Sequence, residues 1–111
     1  MSKKVIEPVK IVSAGDMSAD VVSPASTVKY MDNIAYQCNF SGSPAGHLQV
    51  EVSLDGGANY VPINVPGTDV SSGSPVFFDV NQTSAGLIRC VFRATGGSSG
   101  SIDIFVSAKE I

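Results

Sequence analysis

The sequence predicts an all-β domain, a two-sheet antiparallel β-sandwich of about eight strands and of the jelly-roll or immunoglobulin-like kind. Three observations predict it. Apolar and polar residues alternate along most of the chain, as they do in strands with one buried face. Clusters of Gly, Pro, Ser, Asn and Asp interrupt the alternation about every eight to twelve residues, the spacing of short strands joined by turns. No window carries a helical period.

Before residue 34 the pattern is weak. Val9-Lys10-Ile11-Val12-Ser13, Asp20-Val21-Val22 and Ser26-Thr27-Val28-Lys29 read as short strands, separated by Gly15-Asp16 and Ser23-Pro24. Alternation then becomes strict. Ile34, Tyr36, Cys38 and Phe40 share one face, with Ala35, Gln37 and Asn39 on the other. Leu48, Val50, Val52 and Leu54 repeat the pattern against Gln49, Glu51 and Ser53. The intervening Ser41-Gly42-Ser43-Pro44-Ala45-Gly46 suits the loop of a hairpin.

Tyr60-Val61-Pro62-Ile63 follows the turn Asp55-Gly56-Gly57-Ala58-Asn59, and Pro62 has no N–H for a ladder, which places this run at an edge or beside a bulge. Val76-Phe77-Phe78-Asp79-Val80 is a further short strand. Ile88, Cys90, Phe92 and Ala94 alternate with Arg89, Val91 and Arg93, so both arginines lie on an outer face. Ile102, Ile104, Val106 and Ala108 alternate with Asp103, Phe105, Ser107 and Lys109. With Gly96-Gly97-Ser98-Ser99-Gly100 between them, residues 87–109 read as one long hairpin. The expected organisation is a single domain over 1–111, with residues 1–7 as a mobile arm.

Composition narrows the function classes. Charged residues make up 15% of the chain, against roughly 25% in an ordinary domain, so the exterior is neutral and polar. A formal charge of −3 provides no positive field to hold a nucleic-acid backbone. Apolar stretches fall far short of the ~20 residues of a membrane span, and Met1-Ser2-Lys3-Lys4 leads into Val5-Ile6-Glu7-Pro8 rather than a signal-peptide block. Neither nucleic acid nor membrane is an expected partner.

Catalytic chemistry is not expected either. His47 is the only histidine, and nothing around it forms a triad. One His and two distant Cys cannot close a zinc site, and the acids fall in turns or on polar strand faces. We expect no enzyme, cofactor or metal. Cys38 and Cys90 fall on inward strand positions; they are either buried thiols acting as small hydrophobes or one bridge stapling two strands. Asn81-Gln82-Thr83 matches the N-x-T glycosylation pattern but reads as a turn.

Ser53-Leu54-Asp55-Gly56-Gly57-Ala58-Asn59-Tyr60 resembles the Asp-box, S-x-D-x-G-x-x-aromatic. In that pattern the Ser53 and Asp55 side chains satisfy turn amides, Gly57 takes positive φ, and Tyr60 packs beneath the turn. It occurs once, in a chain too short for a propeller. A calcium loop using Asp55 and Asn59 is the functional alternative.

From residue 33 to 111 the chain resembles small β-sandwich structural proteins encoded in tailed-bacteriophage virion gene clusters. The matching order is Leu48-Gln49-Val50-Glu51-Val52-Ser53-Leu54-Asp55-Gly56 after a Gly/Ser loop, then Leu87-Ile88-Arg89-Cys90-Val91-Phe92-Arg93-Ala94-Thr95 and a Gly/Ser-rich loop. Ile102-Asp103-Ile104-Phe105-Val106-Ser107-Ala108-Lys109 ends it. Tyr60 stands where the family carries Trp. The resemblance implies a non-enzymatic virion protein, a decoration or auxiliary protein of the head rather than of the tail, binding other virion proteins or its own copies. Aromatics that strict alternation cannot turn inward, Tyr30, Phe77 or Phe78, and Phe105, together with Arg89 and Arg93, supply the expected contact surface. The alternative is a carbohydrate-binding or host-surface adhesion module displaying Tyr30 or Tyr60 on a loop.

Overall fold

Alternation becomes pairing in the computed structural model, which describes residues 5–27, 33–63, 68–70, 73–81 and 86–109. The strands are β1 (Val5–Asp16), β2 (Val21–Val22), β3 (Ser26–Thr27), β4 (Asn33–Ser43), β5 (Gly46–Ser53), β6 (Val61–Pro62), β7 (Thr68–Val70), β8 (Val76–Asn81), β9 (Leu87–Ala94) and β10 (Ser99–Lys109). No helix occurs among the described residues. One sheet has the order β1-β10-β4-β8; the second has β2-β9-β5-β6, with β3 also on β9 and β7 also on β5. Every pairing is antiparallel.

The expectation of about eight strands meets ten segments because two edge strands are broken. β2 and β3 both lie along β9 and are separated by Ser23-Pro24-Ala25, where Pro24 has no ladder donor. β6 and β7 both lie along β5, and Pro62 occupies this outer edge. Thr68–Val70 had no alternating pattern to announce it.

Two expected hairpins are corrected. β4 pairs with β10 and β8, whereas β5 pairs with β9, β6 and β7, so residues 44–45 cross from one sheet to the other. Residues 95–98 cross likewise between β9 and β10, and 87–109 is therefore not a hairpin. The reason is physical: alternation fixes which face a side chain takes but not which strand lies alongside, and a Gly/Ser loop serves a crossing as well as a turn. The two crossings run side by side. Thr95 N–H donates to Ala45 O (2.9 Å), and Ala45 N–H donates to Ser98 Oγ (3.1 Å).

Beneath those crossings Gly42 and Gly100 face each other across β4 and β10, at φ +104° and +101°. A methyl on Gly100 would strike the Ser41 carbonyl and come within 2.9 Å of Gly42 Cα, so the two backbones bend together only because neither carries a side chain.

The pairs β1·β10, β2·β9, β4·β8 and β5·β6 are nested, as in one long antiparallel ribbon whose tip is the turn after β5. Folding this ribbon over itself brings β10 against β4 and β9 against β5, which closes both sheets. The core lies between them. Ile34, Tyr36, Cys38, Ile102, Ile104 and Val106 come from the first sheet, and Leu48, Val50, Ile88, Cys90 and Phe92 from the second. Burial of each large apolar side chain contributes ~1.5–3 kcal/mol, most of it offset by chain ordering.

Part of the segment 1–7 expected as an arm lies in the first sheet. Val5 and Ile6 pair with Lys109 and Ala108, so β1 takes in the end of that segment; residues 1–4 lie outside the described residues. β1 also runs through Gly15-Asp16, read as a separator, by means of register shifts and a positive φ of 53° at Ala14.

Candidate functional site

The ribbon tip is held by its own side chains. Asp55 Oδ1 accepts from Ser53 Oγ (2.8 Å) and Asn59 N–H (3.0 Å), while Oδ2 accepts from Asn59 Nδ2 (2.9 Å). Ser53 Oγ in turn accepts from Gly57 N–H (3.0 Å), and Gly56 and Gly57 take φ of 74° and 95°. The Asn59 amide, then its side chain and Ser53, hold the Asp55 carboxyl down at about 2. Both carboxylate oxygens are already engaged inside the turn, so Asp55 and Asn59 offer no open calcium cradle. Tyr60 lies between the turn and β9: a methyl on Gly57 would sit 3.5 Å from its hydroxyl, and the Arg89 guanidinium stacks 3.8 Å from its ring centroid.

Arg89 also anchors the outer face of the second sheet. It sits directly opposite Glu51 and grips Oε1 through Nε (2.8 Å) and Nη2 (2.7 Å). Arg93 lies opposite His47, four residues further along β5, yet its Nη2 reaches Glu51 Oε2 (2.6 Å), so its side chain runs back along the sheet past Val91. On the way it approaches Gln49 Oε1 (3.4 Å) and Asp20 Oδ2 (3.3 Å). The Arg93 guanidinium is held firmly charged: burial opposes the charge, but the Glu51 and Asp20 carboxylates outweigh it. These long side chains roof Val91, which has 0% exposure on a face where alternation placed polar residues. Arg89 and Arg93, read as contact residues, are thus spent on an internal ion network.

The outer face of the first sheet is arranged differently. The β1–β10–β4–β8 registers set Lys10, Phe105, Gln37 and Phe77 in one row across all four strands. Lys10 Nζ stands 5.4 Å above the Phe105 ring and 3.7 Å from Asp103, leaving Phe105 half-buried, whereas Phe77 is 66% exposed. Beside this row lies a shallow groove of about 430 Å³ bounded by Pro8, Ala35, Phe77, Asp79 and Ser107. Tyr30, Gln82 and Thr83 lie outside the described residues.

Cys38 on β4 and Cys90 on β9 meet in the core with Sγ atoms 3.9 Å apart, both as free thiols. The contact with Cys38, joined by burial, pushes the Cys90 thiol far above its ordinary range. His47 faces Arg93 and Asp69 in the strand register. No group of three or more His, Cys, Asp or Glu able to hold a metal occurs among the described residues.

No family model matches the chain, and no curated protein matches it. Solved structures do share its fold. The crystal structure of the SPBc2 prophage-derived protein YomS superposes with a TM-score of 0.70 at 7% identity, over 99% of this chain and 96% of that one. A chain from Bacillus endospore appendages, described as a novel family of disulfide-linked pili, gives 0.54 at 14% identity, over 98% and 88%. At these identities the likeness is one of fold, and it runs the length of both chains.

Sequence reasoning missed three of the residues that matter here. Glu51 read as a solvated strand acid but is 2% exposed; the signal was two arginines on the outward phase of the strand β5 pairs with. Ser23 read as part of a separator, yet its buried hydroxyl accepts from Cys90 N–H (2.9 Å) and donates to Pro24 O (3.1 Å). Asp20 caps the end of β9, accepting from Ala94 N–H (2.9 Å).

Proposed function

We propose that this chain is a non-enzymatic structural protein of a bacteriophage particle, a decoration or auxiliary protein that attaches to the head shell or assembles with its own copies. The end-to-end likeness to a prophage-derived protein carries the reading. The nested ribbon and the β1-β10-β4-β8 order support describing the sandwich as a jelly roll, a fold used by viral shell proteins. Likeness to a pilus-forming chain supports self-assembly.

The contact face in this reading is the outer face of the first sheet, where Phe77 stands beside the groove at Pro8 and Ala35. A glycan-binding role draws no support from Tyr60, whose ring face is covered by Arg89. The test is light scattering of the purified protein across concentrations, with electron microscopy of mixtures with emptied phage heads. Oligomers or symmetric density on the shell are expected. A monomer at every concentration, with bare particles, would overturn the proposal.

A further inference from the structure

We propose that Cys38 and Cys90 form a disulfide between the two sheets when the chain folds in the presence of a disulfide oxidant, and that the folded protein thereafter keeps whichever state it folded in. β4 and β9 are both interior strands, flanked by β10 and β8 in one sheet and by β2 and β5 in the other, so the pair joins the centres of the two layers. Their Sγ atoms are 3.9 Å apart, in direct contact, and the bond requires them to close to the ~2.05 Å of a disulfide. Both backbone polar groups of Cys90 are held by Ser23: its Oγ accepts from the Cys90 N–H and its N–H donates to the Cys90 carbonyl.

Both cysteines have 0% exposure and lie inside the apolar cluster. No oxidant in solution touches them in the folded protein, and no cysteine of another chain can. The contact with Cys38 and burial also push the Cys90 thiol far from ionisation, which keeps that sulfur out of the thiolate form exchange requires. Exchange therefore belongs to the open chain. There, one cysteine thiolate attacks oxidised glutathione to give a mixed disulfide and one glutathione thiol; the second cysteine thiolate displaces the other glutathione. Two protein thiols are oxidised to one bond, and one glutathione disulfide is reduced to two thiols. The bond spans 52 positions of the chain, a loop long enough for cross-linking to constrain the open state strongly. The pili of similar fold are described as disulfide-linked; in this chain the buried pair makes a bond within one molecule.

The experiment is to unfold the chain in guanidinium, refold it with oxidised and reduced glutathione, then alkylate under denaturing conditions and measure intact mass. The expected product is a monomer lacking two hydrogens that takes up no alkyl group until reduced, and whose melting temperature is raised. Reduced protein given the same oxidant without denaturant should still take up two alkyl groups. Two free thiols after oxidative refolding to the native circular dichroism spectrum would overturn the bond, and oxidation of the native protein at the rate of the open chain would overturn the trapping. Should refolding yields be poor, the same mass measurement on protein expressed in an oxidising cytoplasm decides the first point, with Cys38→Ser and Cys90→Val as unbridged controls.

Discussion

Replacing Glu51 with Ala removes the carboxylate that three guanidinium contacts share, at 2.8, 2.7 and 2.6 Å. Hydrogen bonds to charged groups contribute ~1.5–3 kcal/mol when desolvated, and exposed ion pairs ~0.2–1 kcal/mol. The Glu51 side chain is 3% exposed, Arg89 26% and Arg93 40%, so the Arg89 fork takes the upper range and Arg93 the lower. Two like charges are also left over Val91 without the carboxylate they share, Arg93 keeping its pairing with Asp20. The expected loss is about 2–4 kcal/mol, equivalent to a fall in Tm on the order of 10 °C for a domain of this size.

Urea unfolding with an unchanged slope measures it directly. Glu51→Gln, which keeps the shape and one acceptor, should recover part of the loss, and a double-mutant cycle with Arg89→Ala should return a coupling of ~1–2 kcal/mol. Salt should weaken the effect little, because the carboxylate is buried. A loss for Glu51→Ala within the ~0.5 kcal/mol of an ordinary surface change would refute the account of this face.

Gly100→Ala, with a Cβ driven into the Ser41 carbonyl at φ +101°, should cost about 3 kcal/mol or abolish folding, read by thermal melting. Asp55 gives a pH signature. Its carboxyl lies near 2 in the fold against 3.8 ordinarily, so its contribution is fully present above about pH 4 and fades as pH falls toward 2. Melting curves of the wild type and Asp55→Asn should converge over that window, and NMR titration of the carboxyl checks the value. Phe77→Ser should leave stability within ~0.5–1 kcal/mol because the ring is 66% exposed, yet reduce self-association or shell binding measured by light scattering.

The strands were legible because a half-buried strand must alternate: Ile34 to Phe40, Leu48 to Val52, Ile88 to Phe92 and Ile102 to Ala108 all took the inward phase expected of them. Pairing was not legible. The segments 41–46 and 95–100 carry the Gly and Ser of hairpin turns, the first also Pro44, and only contacts between distant segments, such as Thr95 with Ala45, decide that the chain crosses between sheets at both. Val91 broke the alternation for a similar reason, since its cover is supplied by Arg93 reaching back toward a carboxylate on another strand. The turn at Ser53 to Tyr60 was readable in detail, because its interactions span no more than four residues apart from the Arg89 stack. Local chemistry is written locally; Glu51 at 2% exposure is not.

The two outer faces divide the available charge unequally, and this bears on assembly. Lys10, Arg89 and Arg93 are three of the seven basic residues, and each is held by a carboxylate of the same chain. What remains to repel a neighbouring copy is small, since the formal charge is only −3. A face closed by its own ion pairs gains little from a partner, because a partner would have to desolvate groups already satisfied. The first sheet has no such closure at Phe77, where covering an exposed ring removes apolar surface from water and breaks no existing hydrogen bond of the ring. If copies of this chain or a shell lattice meet it through one face, the energetic balance therefore falls on β8 and β10 rather than on the arginines of β9.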